Sequence, residues 1–137
     1  MSSEPSAERP LLLDAEPQLF VSNIAGSCAF FAQSLGFSVA FTYGDPPFYA
    51  QVRRDGVRLN LRHVDEPLID PALATRESYL AATITLAKAD DVKRLFADFQ
   101  AAGVEFHQTP KRQPWGSWDF VVKDPDGNLL CFAGLTD

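Results

Sequence analysis

Cysteine and histidine are scarce in this chain, with two of each in 137 residues. Cys28 and Cys131 are too few for the disulfide framework that staples small secreted domains. No Cys-x-x-Cys pair is present, so a thiol redox motif or a cysteine-rich zinc site is excluded. No apolar run approaches the roughly 18 residues of a membrane-spanning helix. There is no excess of basic charge: 18 Asp plus Glu stand against 12 Lys plus Arg, a formal net charge of −6. That balance argues against a nucleic-acid partner, which calls for a basic face. Also missing are a phosphate-cradling glycine loop, a dinucleotide fingerprint and a Ser–His–Asp order. The opening MSSEPSAERP is polar and has no signal-peptide pattern, which points to a cytoplasmic protein.

What is present is apolar and aromatic. Hydrophobic residues make up 46% of the chain, with 11 Phe, 3 Tyr and 2 Trp, enough to fold one domain around its own core. Residues 1–14 are expected to be a flexible tail, with Leu11-Leu12-Leu13 either a short strand or a patch that packs on a partner chain. Residues 15–137 are expected to form a single domain.

Within it the pattern is repetitive. Gln18 to Val21 reads as a strand, and Ser22 or Asn23 can cap a following helix. Ile24, Cys28, Phe31 and Leu35 then fall on one helical face, and Gly36 suits a left-handed helix end. Strands follow at Phe37 to Tyr43, Phe48 to Arg53 and Val57 to His63, the last two joined through Arg54-Asp55-Gly56, with Gly56 expected to take the positive φ of a tight turn. Residues 64–78 read as a connector. The order then recurs: a strand at Ala81 to Ala87, a helix capped by Asp90 or Asp91 and ended by Gly103, and a strand at Val104 to His107. A loop over 108–116, a strand at Trp118 to Lys123, a turn at 124–128 and a strand at Leu129 to Phe132 complete it. The helix-ending glycines lie 67 residues apart and the Asp-Gly pairs 55–56 and 126–127 lie 71 apart. The expectation is an α+β domain of two βαβββ modules, about 16–63 and 80–133, each a curved mixed sheet with its helix on the convex side, the two facing a cleft.

Val21-Ser22-Asn23-Ile24, Phe30-Phe31 and Leu35-Gly36-Phe37 resemble the opening of the vicinal oxygen chelate superfamily. That superfamily takes in glyoxalase I, extradiol dioxygenases, fosfomycin resistance enzymes and bleomycin resistance proteins. Asp124-Pro125-Asp126-Gly127-Asn128-Leu129-Leu130 is similar to its closing turn and last strand, and Pro114-Trp115-Gly116 is closest to the bleomycin resistance branch. The resemblance runs over about residues 16–133. In the enzymes, four residues, mostly His and Glu, hold a divalent metal. Their positions fall here on Glu16, Asn60, Ile84 (within one residue) and Cys131. Ile84 binds no metal and only Glu16 is a standard hard ligand, so the resemblance implies no metal and no cofactor.

It implies instead a homodimer of the bleomycin resistance type that binds a small molecule, a drug-like or an aromatic or cationic ligand, without turning it over. The alternatives are a superfamily enzyme with a non-standard metal set, of glyoxalase or dioxygenase type, in which Glu16 is the one candidate catalytic carboxylate, and a dimeric module with a vestigial cleft. Curved open sheets leave edges that a second copy can cover.

The ligand-binding candidates are Tyr43, Tyr49, Arg58, Asn60, Trp115 and Trp118. The two Trp flank Gly116 and offer flat stacking walls, unless one packs on the sheet and the other at a subunit contact. Tyr43 and Tyr49, with Phe41 and Phe48, surround the turn at Gly44–Pro47. Arg58, Asn60 and Arg62 alternate with Val57, Leu59 and Leu61, so they face the cleft if the apolar row takes the helix. An Arg there can hold an anion in a paired hydrogen bond, or close an ion pair with Glu16. Two Arg in the cleft weigh against a cationic ligand, although the net charge of −6 favours one. His63 and His107 end strands and are read as polar strand ends. Cys28 and Cys131 are read as small buried residues.

Overall fold

A computed structural model describes residues 9–134. Of the expected tail, residues 1–8 lie outside the described residues, as do residues 135–137. Residues 9–14 are exposed and carry no regular secondary structure.

Alternation of apolar and polar residues builds the first sheet. β1 (Gln18–Val21) and β4 (Val57–His63) run parallel, and β4 pairs antiparallel with β3 (Tyr49–Arg54) and β3 with β2 (Ser38–Tyr43), in the order β1-β4-β3-β2. Leu19, Val21, Ala50, Val52, Leu59 and Leu61 point to one side and are buried. Against them lies α1 (Ile24–Ser34), whose Ile24, Cys28 and Phe31 face inward. Asn23 caps it, its side chain accepting a 2.9 Å bond from the Gly26 backbone N–H.

The second sheet repeats the plan. β5 (Leu80–Leu86), β8 (Leu129–Gly134), β7 (Trp118–Lys123) and β6 (Glu105–Arg112) follow in the order β5-β8-β7-β6. α3 (Ala89–Ala101) covers it, with Val92 and Phe99 against Phe120 and Phe132. One continuous core joins both modules, from Leu19, Phe31 and Leu59 to Phe99, Phe120 and Phe132. The modules are also tied through the 124–128 turn. Asp126 Oδ1 accepts from the Ser22 backbone N–H at 3.0 Å, and Asn128 Nδ2 donates to the Phe20 carbonyl at 3.0 Å. The α+β class and the two βαβββ sheets are thus as the sequence implies.

Four local expectations are corrected. The strand expected at Val104–His107 continues as β6 to Arg112, so most of the expected loop at 108–116 is strand. Pro110 is accommodated because β6 is an edge strand with no outer neighbour to miss its N–H. The connector contains a short helix, α2 (Pro71–Arg76), capped by Asp70 with proline in its first turn. Lys88, not Asp90 or Asp91, precedes α3, and no side chain caps it. The two Asp lie in the first turn, where a helix N-terminus favours negative charge. In the β3–β4 hairpin Asp55, at φ +51°, takes the left-handed conformation that was expected of Gly56.

Candidate functional site

Strand register decides which side chains share the face of the first sheet that α1 leaves bare. Three rows cross it. Tyr43, Tyr49 and Arg62 are partners, with Phe20 beside Arg62. Phe41, Gln51, Asn60 and Gln18 form the second row, and Ser38, Arg53 and Arg58 the third. Glu16 lies just ahead of β1 and reaches the same face.

These groups are locked to one another. Gln51 Nε2 donates to Glu16 Oε1 at 3.0 Å and to Asn60 Oδ1 at 2.9 Å. Asn60 Nδ2 donates to Glu16 Oε1 at 3.1 Å, and Arg53 Nε donates to Gln51 Oε1 at 2.7 Å. Arg58 closes the group with ion pairs of 3.6 Å to Glu16 and 3.9 Å to Asp14. Gln51 is buried at 5% exposure, so the network fixes its orientation. Aromatic residues flank it. Phe41 and Tyr49 are stacked with centroids 6.2 Å apart, Tyr43 and Phe48 meet edge-on at 5.6 Å, and the Tyr49 hydroxyl approaches Gln18 Oε1 at 3.4 Å. The Arg62 guanidinium stands 5.9 Å above the Phe20 ring.

Of the sequence candidates, Glu16, Arg58 and Asn60 are thus in contact, and Tyr43 and Tyr49 share their face. Gln51 and Arg53 escaped attention, although the alternation Tyr49-Gln51-Arg53 against Ala50-Val52 placed them there. The two tryptophans lie elsewhere. Trp118 packs into the core on the α3 side of the second sheet, with Lys93 Nζ 5.1 Å from its ring. Trp115 is 75% exposed in the loop before β7, its indole N–H donating to Ser117 Oγ at 2.8 Å. His63 ends β4 and faces Asp65 at 3.7 Å, whereas His107, expected to end a strand, lies inside the longer β6, its Nε2 3.0 Å from Ser78 Oγ.

The corresponding face of the second sheet is mixed, with Thr83 and Thr85 exposed beside buried side chains. Val121, Leu129 and Cys131 form a minor cluster there. Buried Asp119 accepts at Oδ1 from Gln108 Nε2 at 2.8 Å and Gln113 Nε2 at 2.9 Å. Thr83, not Ile84, is opposite Cys131, while Ile84 is buried in the core. The residues carried over are Glu16, Asn60, Ile84 with its neighbour Thr83, and Cys131. They do not fit a divalent ion. Asn60 spends both ends of its amide on Gln51 and Glu16. Burial first, and then the Asp119 charge, push the Cys131 thiol up to about 11, so it is not a thiolate at neutral pH. Among the described residues no three His, Cys, Asp or Glu side chains cluster as a metal site.

Two cavities indent the described residues, the second reaching the bare face at Gln18 and Phe20. One of about 670 Å³ lies between the β3–β4 hairpin, β5 and α3, lined by Phe37, Arg54, Val57, Arg94 and Phe132. The other, of about 520 Å³, lies under the connector, lined by Phe20, Leu68, Tyr79 and Asn128 among others. Neither includes any of the six ligand candidates.

Fold and site together define a class: paired βαβββ modules presenting a polar, aromatic-flanked sheet face. The chain matches the Glyoxalase/Bleomycin resistance protein/Dioxygenase superfamily over residues 15–132, and it belongs to that family. A bleomycin resistance protein of Geobacillus stearothermophilus is 28% identical over 133 residues, covering 88% of this chain and 96% of the relative. The crystal structure of a bleomycin resistance determinant encoded on transposon Tn5 superposes with a TM-score of 0.70 at 21% identity, covering 90% of this chain and 98% of that one. The bleomycin-binding protein from Streptomyces verticillus, complexed with copper(II)-bleomycin, superposes with a TM-score of 0.67 at 22% identity, covering 94% and 99%.

Proposed function

We propose that this chain binds a small aromatic molecule, without a metal and without turning it over, on the bare face of its first sheet. One observation carries the reading: a hydrogen-bonded polar floor of Glu16, Gln51, Arg53 and Asn60, bordered by the exposed aromatic side chains of Phe41 and Tyr43 and the half-buried Tyr49. A face built only for solubility has no need of a fixed buried amide beside stacked rings. Pockets for small molecules combine apolar walls with a few oriented polar groups in this way. The relatives named for bleomycin resistance support the class of function. Because one chain supplies one wall, a second copy is needed for the other, and the working unit is a homodimer.

The test is thermal. A panel of aromatic compounds, bleomycin included, is screened for a rise in Tm of the purified full chain. A ligand that binds only the folded state at about 100 times its Kd stabilises by roughly 2.7 kcal/mol, a shift readily seen. Tyr49→Ala is expected to weaken the best compound about tenfold by removing a stacking ring. Should no compound in the panel shift Tm, the binding role falls and a vestigial cleft takes its place.

A further inference from the structure

The charge of the bare face opposes the charge of the whole molecule. The chain as a whole is at −6, yet this face carries Arg53, Arg58 and Arg62 against Glu16 and Asp14. Both carboxylates are directed to Arg58, at 3.6 and 3.9 Å. Arg53 and Arg62 have no carboxylate partner among the described residues. Arg53 uses its Nε on Gln51, which leaves the two terminal nitrogens of its guanidinium unengaged by that bond. Arg62 stands over Phe20. Both arginines are exposed, and they border the row that holds Phe41, Gln51 and Asn60.

From this geometry we infer that the ligand is a planar aromatic anion, its ring on Phe41 and Tyr49 and its acidic group on Arg53 and Arg62. This deepens the binding role proposed above and rests on it. A guanidinium offers two parallel N–H groups that match a carboxylate, and the flanking rings supply the stacking surface. A cationic aromatic ligand meets the wrong sign. It would approach two guanidiniums with no carboxylate other than those held by Arg58, and like charges at such range disfavour binding.

The experiment uses three probes with one ring system: 2-naphthoate, neutral 2-naphthamide and 2-naphthylmethylammonium. Each is titrated calorimetrically into the full chain at low salt, since surface charge is screened within about 10 Å at 0.1 M. The expected result is naphthoate binding at least about tenfold tighter than the ammonium probe, with the amide between them. In Arg53→Gln/Arg62→Gln the preference for naphthoate over the amide is expected to vanish, the ratio of the two affinities falling to about one. If the variant misfolds, the wild-type ranking alone decides. Equal affinity for naphthoate and the amide, or tighter binding of the ammonium probe, overturns the anion assignment and leaves the binding role standing. Absence of binding by all three, together with a flat Tm panel, removes both.

Discussion

A carboxylate buried at 4% exposure among three N–H donors feels two opposing pulls, and Asp124 is in that position. Burial, the larger effect, raises its pKa from 3.8 to about 6, while the hydrogen bonds from Asn128 and Asp126 act to lower it. Between those two values the folded chain binds more protons than the unfolded chain. Stability from this group is therefore greatest when Asp124 is protonated and falls as pH rises from about 4 to about 6. A shift of about two units corresponds to roughly 3 kcal/mol. The expected outcome is that the wild type loses about that much between pH 4 and pH 7 relative to Asp124→Asn, which does not titrate. Urea denaturation of both proteins across this range checks it, and parallel pH profiles would sink it. At this scale the sequence was unevenly legible. The alternation of Val57, Leu59 and Leu61 with Arg58, Asn60 and Arg62 placed three face residues correctly, because one buried side forces the other side out. The same parity rule, applied to Trp118, Phe120 and Val122, puts Trp118 with the core. An aromatic residue advertises stacking and packing equally well, and only its strand partners separate the two.

Among the elements, α1 depends on its cap more than on its composition. It has no acidic residue in its first turn and no basic residue in its last, so neither end complements the helix dipole. Asn23 alone supplies a side-chain acceptor at the N-terminus, to Gly26 N. Asn23→Ala is expected to cost about 1 kcal/mol, read as a lower urea midpoint with an unchanged slope. An effect below a few tenths of a kcal/mol would mean that packing of Ile24, Cys28 and Phe31 against the sheet holds the helix regardless of its cap. Elements with a strong apolar period were readable beforehand, and those without one were not. The helix α2 spans six residues with no buried side chain, so no periodicity marks it. Its Asp70-Pro71 start is the one local signal it offers. β6 was truncated for a related reason. Its pairing with β7 is interrupted by irregularities after Phe106 and after Gln108. Such bulges break the period of two by which strands are recognised.

At the scale of the whole molecule, the edge strands β6 and β2, one in each sheet, are treated differently. The outer edge at β6 ends in Pro110, Lys111 and Arg112, residues that discourage another strand from pairing. The outer edge at β2 has no such protection. All six of its residues are exposed, and among them Val39 at 42%, Phe41 at 43% and Tyr43 at 66% are large and apolar. Leu11, Leu12 and Leu13 add a second exposed apolar stretch at 64%, 93% and 87%. Exposure on this scale in a chain of this size marks an interaction surface. A second copy of the chain is the partner proposed here, because the binding wall on the first sheet is open on the side that β2 borders. Sedimentation velocity of the full chain is expected to give twice the mass of one chain. Leu11→Ser/Leu12→Ser/Leu13→Ser combined with Val39→Lys is expected to give the single-chain mass while keeping the far-UV spectrum of the wild type. If the cleft is shared, this variant also loses affinity for the best aromatic probe by about tenfold or more, although none of the four residues belongs to the polar floor. A wild type that sediments as one chain at tens of micromolar and still binds the probe would place the whole site on one subunit.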